Sequence, residues 1–151
     1  MDDEQRRFID VMGETLASWS LPRATGRVYG YLLLHGTPST SEQLRADLEL
    51  SAGAVSTSTR ELVSWGLART IAQPGSRRLL VEAAGGFEQL LAASHARSRV
   101  FIRALHGARA LTDDEHAAER LHDVTDLFEA YIDAGERMLR QRASSPVTPP
   151  A

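Results

Sequence analysis

Apolar residues recur every three to four positions along the first half of the chain, switch briefly to strand-like runs, then return to helical spacing. Phe8, Ile9, Met12, Leu16 and Trp19 place one apolar stripe on a helix over residues 3–19. Leu21-Pro22 ends it, because a residue before proline avoids the helical region. Pro22 suits the first turn of a second helix over residues 22–35, which carries Val28, Tyr29, Leu32 and Leu33 and stops at Gly36. Gly26 and Gly30 stand four apart on that helix. Each costs roughly 1 kcal/mol of helix propensity, which predicts close approach of another helix at that face.

Thr37-Pro38 reads as a turn, and Ser39 with Glu42 has the S-x-x-E spacing of a capping box. It opens a short helix with Leu44 and Leu48 as buried positions. Ser51 is the expected N-cap of the next helix. Val55, Thr59 and Leu62 point inward on it, and Gly66 ends it. Residues 67–73 and 78–82 read as two strands joined by Pro74-Gly75-Ser76. Helical spacing resumes over 87–107, with Phe87, Leu90, Leu91, Phe101, Ile102 and Leu105. A second capping box, Thr112 with Glu115, starts a long helix to about residue 142, with Leu121, Val124, Phe128, Tyr131, Ile132, Met138 and Leu139 on one side. The proline-containing tail 144–151 is expected to be disordered.

These elements predict a mainly α fold with a small β-wing: a winged helix-turn-helix flanked by N- and C-terminal dimerisation helices. The expected divisions are an N-terminal helix over 1–21, the winged helix-turn-helix over 22–86, C-terminal helices over 87–143, and the tail. The flanking stripes exceed what a small winged helix needs to cover itself, so the surplus is expected to bury against a second copy in a homodimer.

Composition narrows the chemistry. The chain has no cysteine, which excludes disulfides, zinc–thiolate sites and thiol nucleophiles. No apolar run approaches the ~18 residues of a membrane span. The opening MDDEQRR has no apolar core after it, so a cytoplasmic protein without signal peptide or membrane partner is expected. No Ser-His-Asp ordering, paired carboxylates or Gly-rich phosphate loop stands out, so neither an enzyme nor a cofactor site is expected. His116, Glu119 and His122 are three apart, which turns each side chain about 60° from the last around a helix and separates the outer two as metal ligands.

The net charge of −3 argues against indiscriminate coating of nucleic acid, but residues 51–81 hold four arginines against one glutamate, a local +3. A local basic face can bind phosphate on an acidic protein. The outer surface of the helix after Ser51 is small and polar: Ala52, Gly53, Ser56, Thr57 and Arg60. Small residues let a helix sit deep in a groove, and its free N–H groups favour phosphate. Ser and Thr reach base edges or phosphates, while Arg60 can clamp guanine or phosphate. Arg77 and Arg78, at the tip of the ribbon, can enter the minor groove or grip the flanking backbone. Ser51, Ala52, Gly53, Ser56, Thr57, Arg60, Arg77 and Arg78 are therefore the candidate DNA-binding residues.

PRATGRVYGYLLLHG at 22–36, the short helix at 39–48, LSAGAVSTSTRELVSWGLA at 50–68 and QPGSRR at 73–78 together resemble the MarR superfamily of bacterial transcription regulators, and within it the branch named after the glycine betaine repressor. The resemblance implies a homodimeric winged-helix protein, a repressor, on a pseudo-palindromic operator of double-stranded DNA, with a small-molecule effector. Three positions depart from the family's pattern. Thr59 replaces a large apolar residue, Ser76 stands where an acid commonly precedes the wing arginines, and residues 52–57 carry no base. The resemblance also suggests choline-like ligands, for which Trp19, Tyr29, Tyr31, Trp65 and Tyr131 are candidate cage walls by cation–π attraction; core packing is the alternative for the same rings. The alternative function is a winged-helix protein-interaction module without DNA binding, which the acidic balance favours.

Overall fold

The computed structural model of the chain describes residues 1–144. The expected tail beyond Ser144 lies outside the described residues, and Ser144 itself closes the last helix. The order is α1 (Asp3–Ser18), α2 (Arg23–Leu34), β1 (Ser39–Thr40), α3 (Ser41–Leu48), α4 (Ala52–Ser64), β2 (Ala68–Ala72), β3 (Leu79–Ala83), α5 (Phe87–Ala108), a 3-10 turn (Arg109–Leu111) and α6 (Glu115–Ser144). The chain divides into two compact units after Gln89.

In the first unit, Asp2 and Gln5 cap α1 reciprocally, each accepting from the other's backbone N–H. α1 is the helix that the α2 glycines receive. A Cβ at Gly26 would stand 2.4 Å from the Met12 carbonyl oxygen, and one at Gly30 would stand 3.0 Å from Met12 Cβ. Pro22 sits one residue earlier than expected, as the N-cap of α2. Leu16, Val28, Leu32, Leu44, Leu48, Val55, Leu62 and Leu67 form the core, while Leu33 is exposed.

Two expectations shift by one position. Ser39 does not cap α3: its backbone is drawn into β1, where it pairs with Val81 and is buried. α3 begins at Ser41, so Ser39 stands one residue too early to cap it. The cap passes to Thr40, whose hydroxyl accepts from Gln43 N–H at 3.1 Å while Gln43 Oε1 accepts from Thr40 N–H at 2.7 Å. On α4 the buried positions are Val55, Ser58 and Leu62, not Thr59. Ser58 Oγ lies 3.5 Å from the buried Thr25 hydroxyl of α2. Thr59, one helical step further round, is half-buried.

The sheet is antiparallel in the order β1-β3-β2, with β1 as a third strand that the apolar pattern did not announce. β2 and β3 pair from Ala68↔Ala83 to Ala72↔Leu79. Pro74 and Gly75 hold the centre of the wing turn, closed by Ser76 N–H on the Gln73 carbonyl at 3.1 Å. Gly75 has φ +76°, the left-handed value that the third residue of a type II turn requires and that glycine adopts without strain.

In the second unit, the long helix begins one residue after Asp114, whose carboxylate accepts from Ala117 N–H. Asp114 therefore caps α6, and Thr112 instead accepts from Asp114 N–H. The apolar residues of α6 fall on two faces. Leu121, Phe128, Ile132 and Leu139 are buried or half-buried, and Phe128 meets Phe101 of α5 edge to face at 5.1 Å. Val124, Leu127, Tyr131 and Met138 are exposed.

Arg99 of α5 reaches Asp133 at 2.6 Å and Glu136 at 2.9 Å on α6. Its hydrogen bonds hold both carboxyls below their ordinary values. A depressed carboxyl stabilises in full above its unfolded value and loses that contribution as pH falls through the folded one. The contribution is thus complete above the ordinary values of 4.5 for Glu136 and 3.8 for Asp133, and each part is lost as pH falls below its own value. Carboxyl 13C NMR titration should place both midpoints below those values, and Arg99→Met should raise them.

Candidate nucleic-acid interface

Burial of Val55, Ser58 and Leu62 fixes the rotation of α4, and that rotation places Ala52, Gly53, Ser56, Thr57 and Arg60 on its exposed side. Ser51 is exposed and caps the helix, its hydroxyl accepting from Ala54 N–H at 3.1 Å. The N-terminus of α4 thus opens to solvent, with the Ala54 N–H of its first turn taken by the cap. Arg77 and Arg78 are exposed just past the wing turn.

A groove of about 620 Å³ runs between α4 and the wing, bordered by Ser56, Thr59, Arg60, Val63, Arg77 and Leu79 among others. It brings Ser56, Arg60 and Arg77 together. Ser51, Ala52, Gly53, Thr57 and Arg78 lie outside its lining. Thr59, half-buried, is part of its lining.

The four arginines of residues 51–81 are not equivalent. Arg69 pairs with Glu82 at 2.6 Å, and Arg78 pairs with Glu42 at 3.0 Å. Among the described residues Arg60 and Arg77 have no ion pair. The local +3 therefore overstates the free charge, because both neutralising acids, Glu42 and Glu82, lie outside residues 51–81. From sequence Glu42 is expected elsewhere, as the capping partner of Ser39. A signal was present, since Thr40-Ser41-Glu42-Gln43 carries the same capping spacing one residue later and leaves Glu42 unassigned.

The candidate cage walls of the first unit engage other partners. Phe87 meets Trp19 at 5.5 Å and Tyr29 at 6.2 Å, so these rings fill space with one another. Tyr31 stacks on His35 at 3.8 Å and donates to Asp47 at 2.6 Å. Burial, then that hydrogen bond, push its hydroxyl up to about 12. Trp65 donates to Glu61, and Tyr131 is exposed on α6. Among the described residues no three His, Asp or Glu side chains converge as metal ligands; His122 faces Asp126 at 3.6 Å.

No family model matches the chain. It is 32% identical over 134 residues to the HTH-type transcriptional regulator MmpR5 of Mycobacterium tuberculosis, covering 83% of this chain and 78% of the relative. A solved structure described as a transcriptional regulator aligns over 94% of this chain and 99% of its own, with a TM-score of 0.62 and 26% identity. MepR, a transcription regulator of the Staphylococcus aureus multidrug efflux pump MepA, aligns over 85% of this chain and 90% of its own, with a TM-score of 0.43 and 17% identity.

Proposed function

The chain belongs to the MarR superfamily of winged helix-turn-helix transcription regulators, and we propose that it binds a pseudo-palindromic DNA operator as a homodimer and represses transcription from it. The family consists of transcription regulators and not of enzymes. One observation carries the DNA reading: Ser56 and Arg60 of α4 border the same groove as Arg77 of the wing, and both arginines lack an acidic partner among the described residues. In this reading Ser51, Ala52, Gly53, Ser56, Thr57 and Arg60 face the major groove, with Arg77 and Arg78 on the wing. The helix supplies shape fit, and Arg60 and Arg77, the two arginines without an acidic partner among the described residues, supply the phosphate contacts.

The repressor sign and a small-molecule effector come from the family resemblance alone. No helix among the described residues is long and apolar enough to cross a membrane, which accords with a protein working beside the chromosome in the cytoplasm.

The dimer is supported by α6. Val124, Leu127, Tyr131 and Met138 follow the 3-4 spacing of a helix–helix seam, yet Leu127 is 71% and Tyr131 70% exposed. Large apolar side chains in a row on a surface mark an interface. Leu127→Glu with Tyr131→Glu should convert the dimer to monomer in sedimentation analysis while leaving the helical circular dichroism unchanged. A monomeric parent protein would remove this part of the reading.

The function itself is tested by a gel shift on the DNA upstream of the protein's own gene, at two salt concentrations. A specific shift that weakens with salt is expected. Absence of any specific shift on that or neighbouring promoters would favour the interaction module instead.

A further inference from the structure

The two wing arginines face different neighbours. Arg77 borders the groove beside α4. Arg78 turns to α3, where its Nη1 lies 3.0 Å from Glu42 Oε1. The sheet register sets this up: Thr40 pairs with Leu80, so the first turn of α3 lies beside the root of the wing. Arg78 N–H also donates to Ser76 Oγ at 3.1 Å, which fixes the backbone from which the side chain departs. The capping register completes the arrangement, since Thr40 and Gln43 satisfy each other and leave the Glu42 carboxylate free for Arg78.

We propose that Glu42 is a specificity-determining residue: by pairing with Arg78 it withdraws one cation per copy from sequence-independent contacts with DNA phosphates. Non-specific affinity is essentially a sum of such contacts. The outer face of α4 is untouched by the pair, so base reading is retained while the background it competes against falls. Both side chains are about two-thirds exposed, at 68% and 64%. A surface pair of this kind shifts an equilibrium by at most about fivefold, enough to decide whether Arg78 joins a weak, unpositioned phosphate contact. Glu42 acts through Arg78 and touches no base in this scheme.

The inference rests on the DNA-binding reading, and one titration separates the two. The full-length protein, Glu42→Gln, Arg78→Gln and the double variant are titrated with a short mixed-sequence duplex at rising KCl. If Glu42 withdraws Arg78, Arg78→Gln leaves the salt slope of the parent protein unchanged. In the Glu42→Gln background the same substitution lowers the slope by about one per copy. Glu42→Gln alone should tighten binding by about two- to fivefold. A slope already reduced by Arg78→Gln in the parent overturns the inference, because Arg78 then grips phosphate despite Glu42. Equal silence of Arg78→Gln in both backgrounds overturns it as well. No salt-dependent binding by the parent protein to any duplex overturns the DNA-binding reading, and this inference with it.

Discussion

Gly26→Ala is expected to destabilise the first unit by roughly 2–3 kcal/mol, a fall in Tm of about 8–24 °C. Helix propensity alone gives the opposite sign, since alanine improves on glycine by about 1 kcal/mol in a helix interior. Packing decides. The new methyl would stand 2.4 Å from the Met12 carbonyl oxygen, 2.8 Å from Gly13 Cα and 3.0 Å from the Met12 carbonyl carbon. All three are backbone atoms of α1, so no side-chain rotation relieves the clash, and the two helices must separate. Separation loosens the contacts of Ile9, Leu16 and Val28, each almost fully buried. Gly53→Ala is the control: nothing lies within 4 Å of its Cβ. That variant should be neutral or stabilised by a few tenths of a kcal/mol, since Gly53 lies in the first turn of α4. Urea unfolding of both variants beside the parent protein reads the difference, and a neutral Gly26→Ala would mean that α1 does not rest on α2 at this glycine.

Arg60→Ala combined with Arg77→Ala should be the most damaging pair of substitutions for DNA binding. These two arginines flank one groove and lack acidic partners among the described residues. Each occurs twice in a dimer, so four phosphate contacts disappear together, and the slope of log affinity against log salt should flatten by about 3–4. Affinity at low salt should fall by about a hundredfold or more, at roughly 1 kcal/mol or more per charged contact. Arg69→Ala is the matched control, because Arg69 is committed to Glu82 on the neighbouring strand. Fluorescence anisotropy at stepped KCl distinguishes the cases. A slope change no larger than that of Arg69→Ala would remove Arg60 and Arg77 from the interface.

Much of the fold was legible because its signals are local. The helical spacing of α1, α2 and α5, the Ser51 cap and the Pro74-Gly75 turn each depend on a few neighbouring residues, and these elements form, although Leu33 and Phe101 of the expected stripes are exposed. The displaced features share a different cause. Ser39 looks like a helix cap in sequence, but α3 starts after Thr40, and β3, forty residues away, covers Ser39 in a strand pair. Thr112 likewise loses its cap to Asp114, and the single apolar stripe expected on α6 divides into a face toward α5 and an exposed seam. Thr59 looked buried because 55, 59 and 62 fit one stripe; 55, 58 and 62 fit it as well, and only the seat against Thr25 of α2 chooses between them.

The candidate site divides in the same way. The sequence by itself determined which residues line the outer face of α4 and that arginines tip the wing, because helical period and turn chemistry are properties of adjacent residues. It could not determine which arginines are free. Charge counted along the chain treats Arg60, Arg69, Arg77 and Arg78 alike, but a charge is neutralised by what lies within a few ångströms in space. The tertiary structure alone decided that Glu82 and Glu42 take two of the four and that Arg60 and Arg77 share a groove. It did so by folding β3 between β1 and β2, which sets the first turn of α3 beside the root of the wing and Arg69 opposite Glu82.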